Sequence, residues 1–441
     1  MKKILVLGAG RSAVTLIKYL LDNALVNNWF ITVGDFSKKL ADKSINNHHS
    51  AQSIFFDIND ELQRKKEITS HHIVISMLPA RMHFLVAKDC VKYSKDLVTA
   101  SYVSDEINSL DQHAKDKGII LLNEIGLDPG IDHMSAMHVI DEIKDNGGKL
   151  VSFKSYCGGL IHPDNDNNPW NYKFTWNPRN VVLAGQGTAQ YIEDKKYKYI
   201  PYHKLFQRID LIPVLDAGLF EGYANRDSLS YRKLYGIEDI QTMLRGTLRR
   251  EGYCLSWNAF IELGMTDDSY FIKNINKMTN RDFTNLFLPY SKNSLEDNLC
   301  QYLSISRDSN IFKKLEWLGL FNNEMIKFED ATPAQILQSI LEKKWKLSKY
   351  DKDMVVMQHQ FKYYNNNLLV KRNSSLVVYG DDAISTAMAK TVGLPVAIAV
   401  KLILNGDISL KGVQIPTEKE FYIPILKELK EHGINFIEEL I

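Results

Sequence analysis

The stretch Ile4-Leu5-Val6-Leu7-Gly8-Ala9-Gly10-Arg11-Ser12-Ala13 decides how this chain is read. Four consecutive apolar residues fit a parallel strand buried on both faces. A helical pattern follows at Val14, Leu16, Ile17 and Leu20, so a turn of small residues joins strand to helix. In such a turn Gly8 permits the tight bend and Gly10 lets the backbone approach a pyrophosphate. Ala13, in the third small position, allows helix and sheet to pack closely. Arg11, Ser12 and Ala13 open the helix, whose free N–H groups suit phosphates.

Working outward, further strand patterns alternate with helical ones. Phe30-Ile31-Thr32-Val33-Gly34 reads as the second strand, Ser53 to Phe56 as the third and His72-Ile73-Val74-Ile75-Ser76 as the fourth. Leu97-Val98-Thr99 is the fifth and Ile119 to Leu122 the sixth. Six strands separated by helices describe a doubly wound parallel sheet, an α/β fold. Asp35 ends the second strand, where a carboxylate accepts from both adenosine ribose hydroxyls and repels a 2′-phosphate. The expected cofactor is therefore NAD, with NADP possible because Lys38 and Lys39 stand nearby. Asp35 serving only as a helix cap is the competing reading. Asp57, after the third strand, suits adenine or caps the turn Ile58–Leu62.

The sixth strand runs into Leu121-Leu122-Asn123-Glu124-Ile125-Gly126-Leu127-Asp128-Pro129-Gly130-Ile131-Asp132-His133. Three carboxylates crowd into one strand-to-loop junction, and ligands of open parallel sheets sit at such carboxyl ends. Beyond Gly130 the pattern changes to a helix (Met134 to Lys144), an extended stretch (Leu150 to Tyr156) ending at Cys157-Gly158-Gly159, and aromatics alternating from Trp170 to Trp176. Two arginine segments, Asn225-Arg226-Asp227-Ser228 and Leu244-Arg245-Gly246-Thr247-Leu248-Arg249-Arg250, carry the side chain best suited to bidentate carboxylate recognition. Solvated surface charge is the commoner use of such arginines. The stretch from Trp257 to Lys346 reads as helical. Strands return at Met354 to Met357 and Ser375 to Tyr379, before a small-residue helix (Ala383 to Val392), Gly393-Leu394-Pro395 and a second apolar helix.

Bulk properties narrow the function classes. A chain of 441 residues suggests two or three domains. A formal net charge of +1 gives no reason to expect nucleic acid or an anionic membrane as partner. Cys90, Cys157, Cys254 and Cys300 stand far apart with no CxxC pair, so neither a disulfide framework nor a zinc site is expected. The apolar run after Met1-Lys2-Lys3 is too short for a signal peptide, and Val396 to Leu404 is too short to span a bilayer. The expectation is a cytoplasmic protein that binds no metal.

Taken in order, the motifs resemble the saccharopine dehydrogenase family, closest to its glutamate-forming members. They are Gly8-Ala9-Gly10, Val74-Ile75-Ser76-Met77-Leu78-Pro79 with His83, Thr99-Ala100-Ser101-Tyr102, and Glu124 to His133. Ser155-Tyr156-Cys157-Gly158-Gly159-Leu160, Asn168-Pro169, Tyr172-Lys173-Phe174-Thr175-Trp176, both arginine segments, Ala387-Met388-Ala389-Lys390 and Val392-Gly393-Leu394-Pro395 complete the set. They cover almost the whole chain.

The resemblance implies a Rossmann-type doubly wound sheet over 1–127 plus 393–441. It implies an α+β substrate-binding and dimerisation domain over 128–256 plus 347–392, and an all-helical insertion over 257–346. It also implies a homodimer that reversibly oxidises saccharopine with NAD(P)+ and water to glutamate and 2-aminoadipate 6-semialdehyde, in lysine metabolism. Residue by residue, Ser101, Tyr102, Asp128, Arg226, Arg245, Thr247, Leu248 and Arg249 fall at substrate positions. Gly8, Gly10, Arg11, Ser12, Ala13, Asp35, Asp57, Thr99, Leu127 and Trp176 fall at dinucleotide positions. Asp128, Tyr102 and Cys157 are the candidates for proton transfer, Asp128 first. Orienting the amine is an equally open role for Asp128, and simple packing for Cys157. Two departures from the family pattern matter: Gly34-Asp35-Phe36 where fungal relatives usually place an arginine after the second strand, and Gly158-Gly159-Leu160-Ile161-His162-Pro163 in place of Gly-Gly-Leu-Pro-Ala-Pro. A related imine dehydrogenase, acting on carboxynorspermidine or on lysine at carbon 6, is one alternative. A catalytically silent dinucleotide-binding protein is another.

Overall fold

The computed structural model describes residues 1–184 and 186–441. The chain divides into two compact units. One comprises Met1–Leu150, Tyr363–Leu368 and Leu376–Glu438; the other comprises Val151–Lys362, Leu369–Ser375 and Glu439–Ile441.

In the first unit the strands are β1 (Lys2–Leu7), β2 (Trp29–Asp35), β3 (Ala51–Phe55), β4 (Ile73–Ser76), β5 (Asp96–Val98) and β6 (Ile120–Leu122). Their order is β3-β2-β1-β4-β5-β6, and the strand Gly412–Gln414 adds to the far edge. Every pairing is parallel. The order reverses between β1 and β4, which opens the ligand crevice beyond the carboxyl ends of the strands. In this parallel sheet the Gly412–Gln414 strand is the one not legible in the sequence. At three residues it has no periodicity to read; its pairing to β6 makes it a strand.

Residues of alternate direction on β1 explain the layers. Leu5 and Leu7 join Val74, Leu97 and Leu121 in a cluster with Ile68, Val86, Ala87 and Cys90 from the covering helices. Each such buried aliphatic side chain stabilises the fold by roughly 1.5–3 kcal/mol. Elsewhere in the unit the helix Ala387–Asn405 packs on the helix Val14–Asp22. Two helices broken at Gly393-Leu394-Pro395 were expected here, and one continuous 19-residue helix is found. Pro395 removes one backbone hydrogen bond, but burial of Leu394, Val396, Ala397 and Ile398 holds the helix together. Gly393 is needed: a Cβ there would lie 2.8 Å from the Leu16 backbone nitrogen. This helix is long and apolar enough to cross a membrane, yet 78% of its apolar window is buried inside the protein.

The second unit is built on a mixed sheet: β7 (Lys149–Ile161), β8 (Ala189–Glu193), β9 (Lys196–Ile200), β10 (Ile209–Val214), β11 (Gly218–Ala224), β12 (Thr242–Arg250), β13 (Asp353–Asn365) and β14 (Leu368–Tyr379). The order is β10-β11-β12-β7-β13-β14, followed by Ile437–Leu440. β12 runs parallel to β7 and antiparallel to β11. Cys157-Gly158-Gly159, read from sequence as the end of an extended stretch, lies within β7. A Cβ on Gly158 would fall 2.6 Å from the Leu248 carbonyl oxygen, so glycine here serves close strand approach. Helices Tyr253–Glu262, Asn280–Asn285, Leu295–Leu303, Asn310–Leu318 and Pro333–Lys344 group with this sheet.

The aromatics between Trp170 and Trp176 lie outside any strand. Trp170, Tyr172 and Phe174 are instead core residues, their rings 5.3, 5.1 and 5.2 Å from that of Trp345. Lys173, between them, forms a buried ion pair with Asp351 at 2.7 Å.

Candidate active site

The glycine turn has the geometry its residues predict. Gly8 has φ +100°, and a Cβ there would sit 2.8 Å from the Met77 carbonyl oxygen. Gly10 is extended, and a Cβ added to it would meet nothing within 4 Å. Its backbone is therefore open to a close-approaching group. Ala13 is buried and donates its N–H to the Gly10 carbonyl at 3.0 Å. These residues fit a pyrophosphate.

Asp35 is fixed by two backbone donors, Ala9 N–H at 2.8 Å and Ser37 N–H at 2.7 Å. A carboxylate has about four acceptor sites, so this arrangement orients the group without exhausting it. Lys38 pairs with Asp42 and reaches the Ser53 hydroxyl at 2.8 Å, so its charge is shared. Asp57 accepts from the Asn59 N–H at 2.9 Å, an Asx turn of the kind the capping alternative described. The helix that follows is capped by Asp60.

Beyond β5 and β6, the loop holding Asp128 is built by close backbone packing. A Cβ on Gly130 would lie 2.1 Å from the Gly126 carbonyl oxygen, which accepts from the Ile131 N–H at 2.9 Å. Asp132 accepts from the Gly130 N–H at 2.6 Å. His133 Nε2 lies 2.9 Å from Glu124 Oε2, while Glu124 Oε1 accepts from the Val103 N–H. Those groups shape the loop. From residue 119 to 137 every residue is buried except Asp128.

Ser101 is tied into a chain that the sequence did not expose. His83 Nδ1 lies 2.8 Å from Ser76 Oγ, and its Nε2 lies 2.7 Å from Ser101 Oγ. Burial pushes the His83 pKa down to about 4, so the ring is neutral near pH 7. One hydroxyl then donates to it and the other accepts from it. His83 was legible only as a motif member, because no local pattern reveals partners 7 and 18 residues away. Tyr102 is half-buried beside Ser101, Thr99 donates no charge and is buried, and Leu127 is buried.

In the second unit, Cys157 on β7 is buried and pairs in register with Thr247 on β12. Arg245 and Arg249, placed at substrate positions by the resemblance, are both buried and so are not solvated surface charges. The Arg245 guanidinium lies 4.1 Å from the centre of the Tyr231 ring. Arg249 sits among the rings of Tyr172, Tyr253 and Tyr223 at 5.2, 5.3 and 6.0 Å, and donates to its neighbour's carbonyl, Leu248 O, at 2.9 Å. Its Nε has no hydrogen-bond partner among the described residues. Cation–π contacts of this kind offset part of the desolvation of a buried guanidinium. Leu248 is buried, Thr247 and Trp176 are half-buried, and Arg226 is exposed with φ +48°. The Arg226 carbonyl accepts from Gln190 N–H, and Asn225 N–H donates to the Arg245 carbonyl, which ties the two arginine segments to one end of the sheet. Among the described residues no group of histidine, cysteine and carboxylate side chains has the arrangement of a metal site.

A classically ordered nucleotide sheet with an open glycine turn, joined in one chain to a mixed-sheet unit rich in buried arginine and tyrosine, defines the class of two-unit dinucleotide-binding proteins. Residues 4–122 match the saccharopine dehydrogenase NADP binding domain, and residues 126–434 match the saccharopine dehydrogenase C-terminal domain. The chain belongs to the saccharopine dehydrogenase family.

Among its relatives is the saccharopine dehydrogenase (NADP(+), L-glutamate-forming) of Pyricularia oryzae, 34% identical over 100% of this chain and 99% of that protein. The mitochondrial alpha-aminoadipic semialdehyde synthase of Rattus norvegicus is 36% identical over 99% of this chain. The chain spans about half of that synthase, 47% of its length. Apo saccharopine dehydrogenase (L-Glu forming) from Saccharomyces cerevisiae superposes with a TM-score of 0.90 at 33% identity, each chain covered in full.

Proposed function

We propose that this protein is a glutamate-forming saccharopine dehydrogenase, oxidising saccharopine reversibly to glutamate and 2-aminoadipate 6-semialdehyde. The observation that carries the reading is Asp128, the one partly exposed residue between 119 and 137, in a chain that aligns end to end with a glutamate-forming relative.

When bound, the dinucleotide supplies the acceptor for hydride from the carbon next to the secondary amine. The substrate becomes an imine. Water then adds to the imine carbon, and collapse of the adduct expels the glutamate amine and leaves the aldehyde. Attack releases one proton and amine departure needs one, so a single carboxylate can serve both steps. Asp128 has that role, and Tyr102 and Cys157 are the remaining candidates. Ser101 hydrogen-bonds substrate, oriented through His83. Arg226, Arg245 and Arg249, with Thr247 and Leu248, meet a tricarboxylate; arginine suits such anions through bidentate pairing.

NAD is the preferred cofactor on the strength of Asp35, although the Pyricularia oryzae relative carries NADP(+) in its name. Gly8, Gly10 and Arg11 to Ala13 receive the pyrophosphate; Asp57, Thr99, Leu127 and Trp176 are further contacts. The protein acts in the cytoplasm as a homodimer.

The test is purified protein with saccharopine and either NAD+ or NADP+, followed at the nicotinamide absorbance. Reduction with saccharopine supports the proposal. Turnover of lysine or carboxynorspermidine in place of saccharopine overturns it, and dinucleotide binding with no turnover of any of the three makes the protein a silent binder.

A further inference from the structure

The mixed sheet of the second unit carries a cleft of about 140 Å³, walled by β7, β10, β11, β12 and the β8–β9 hairpin. Successive side chains of a strand point to opposite faces. β12 pairs with β7 so that Leu244 stands opposite Lys154 and Gly246 opposite Tyr156, while Arg245 and Thr247 stand opposite Ser155 and Cys157. Lys154, Tyr156 and Leu244 line the cleft, so it opens on the face away from Arg245, Thr247 and Cys157. Its floor is the Tyr156 ring. A Cβ on Gly222 would lie 2.9 Å from that ring and one on Gly246 2.6 Å, so these two glycines let the ring lie flat over β11 and β12.

The polar groups of the cleft are only partly spent. The Tyr156 hydroxyl donates to Asp210 Oδ2 at 2.9 Å, and the Lys154 ammonium lies 3.4 Å from the same oxygen and 3.8 Å from Glu193 Oε1. Burial and the Asp210 carboxylate push the Tyr156 phenol up, so it keeps its proton and remains a donor. Asp210 Oδ1, the Tyr191 hydroxyl and the Arg208 guanidinium have no hydrogen-bond or ion-pair partner among the described residues. An unspent carboxylate oxygen and an unspent guanidinium therefore stand two residues apart at one cleft.

We propose that this cleft binds a small aliphatic α-amino acid at a site separate from that of the substrate. The ligand carboxylate pairs with Arg208, whose fork suits it, and accepts from the Tyr191 hydroxyl. The ligand ammonium donates to Asp210 Oδ1. The side chain lies against Ile200, Ala224 and Leu244, the apolar wall. Lys154, Arg208, Glu193 and Asp210 together carry no net charge, so an ion of one sign is attracted by one pair and repelled by the other, whereas a zwitterion satisfies both. An apolar cavity of about 150 Å³ holds one benzene, so a cleft of this size takes a short side chain and excludes an aromatic one.

Isothermal titration of the full chain with L-valine tests this, beside 3-methylbutanoate, which lacks the ammonium, and isobutylamine, which lacks the carboxylate. L-valine is expected to bind, and each analogue to bind about tenfold more weakly or not at all. Arg208→Gln and Asp210→Asn are each expected to weaken L-valine by about tenfold or more, the scale of one charge-assisted hydrogen bond. Both positions are exposed, and thermal melts confirm that the variants fold. Saturating saccharopine is expected to leave the L-valine affinity unchanged, because the arginines assigned to substrate lie on the other face of the sheet. Absence of L-valine binding, equal binding of either analogue, wild-type affinity in Arg208→Gln, or competitive displacement by saccharopine would each overturn the proposal. None of these outcomes depends on turnover, so the assay of saccharopine oxidation stands or falls separately.

Discussion

At the residue scale, function concentrates in side chains whose surroundings contradict their neighbours. Asp128 is half-buried where the residues from 119 to 137 around it are fully buried. Asp128→Asn keeps the shape and removes the base, so kcat should fall roughly 100- to 10,000-fold, the usual range for general acid–base groups. NADH affinity by titration should hold. A variant with near-normal kcat and a raised KM would assign Asp128 to orienting the amine. Asp35→Ala should weaken NAD+ far more than NADP+, because only the carboxylate distinguishes a ribose hydroxyl from its phosphate; equal losses would remove Asp35 from that role.

His83 gives a pH dependence whose sign is fixed by burial. Its folded pKa of about 4 lies below the unfolded value of 6.5. The unfolded chain therefore binds the proton first, and the stability held above pH 6.5 is lost as pH falls toward 4. Wild type should lose more thermal stability than His83→Gln between pH 7 and pH 4.5. Parallel losses in melts of the two proteins would show that His83 does not carry this term.

At the scale of elements, legibility followed periodicity. Strands β1, β2, β4, β5 and β6 are legible as short apolar runs between turn residues, while β3, Ala51-Gln52-Ser53-Ile54-Phe55, is legible mainly from its place in the alternation. The sequence suggests two helices where Ala387–Asn405 is one, because Gly393 and Pro395 are local helix breakers whose effect is overridden by burial against another helix. That contact yields a prediction. Gly393→Val places atoms 2.8 Å from the Leu16 nitrogen, so the two helices must separate, at a cost of about 1–3 kcal/mol for an overpacked contact. The melting temperature should drop, and NADH should bind more weakly because the helix Val14–Asp22 carries the phosphate turn. A variant with unchanged melting would mean that the contact has slack.

At the scale of the whole molecule, the proposed homodimer predicts a light-scattering mass of twice the 50.6 kDa chain mass at micromolar concentration. A mass of one chain would refute it. The sequence by itself determined the doubly wound nucleotide unit, the glycine turn, the acidic end of β2 and the ordered motifs that mark the family. These are local features, carried by short periodic runs and by residue types at fixed offsets. Only the tertiary structure decided which polar groups are spent and which are available. Asp132, His133 and Glu124 are occupied by one another or by backbone, Arg249 is enclosed by three tyrosines, His83 bridges two serines, and Phe36 meets Phe55 across neighbouring strands. The partners in those contacts come from separate elements, and a hydrogen bond or ring contact between distant residues leaves no trace in the spacing of either segment.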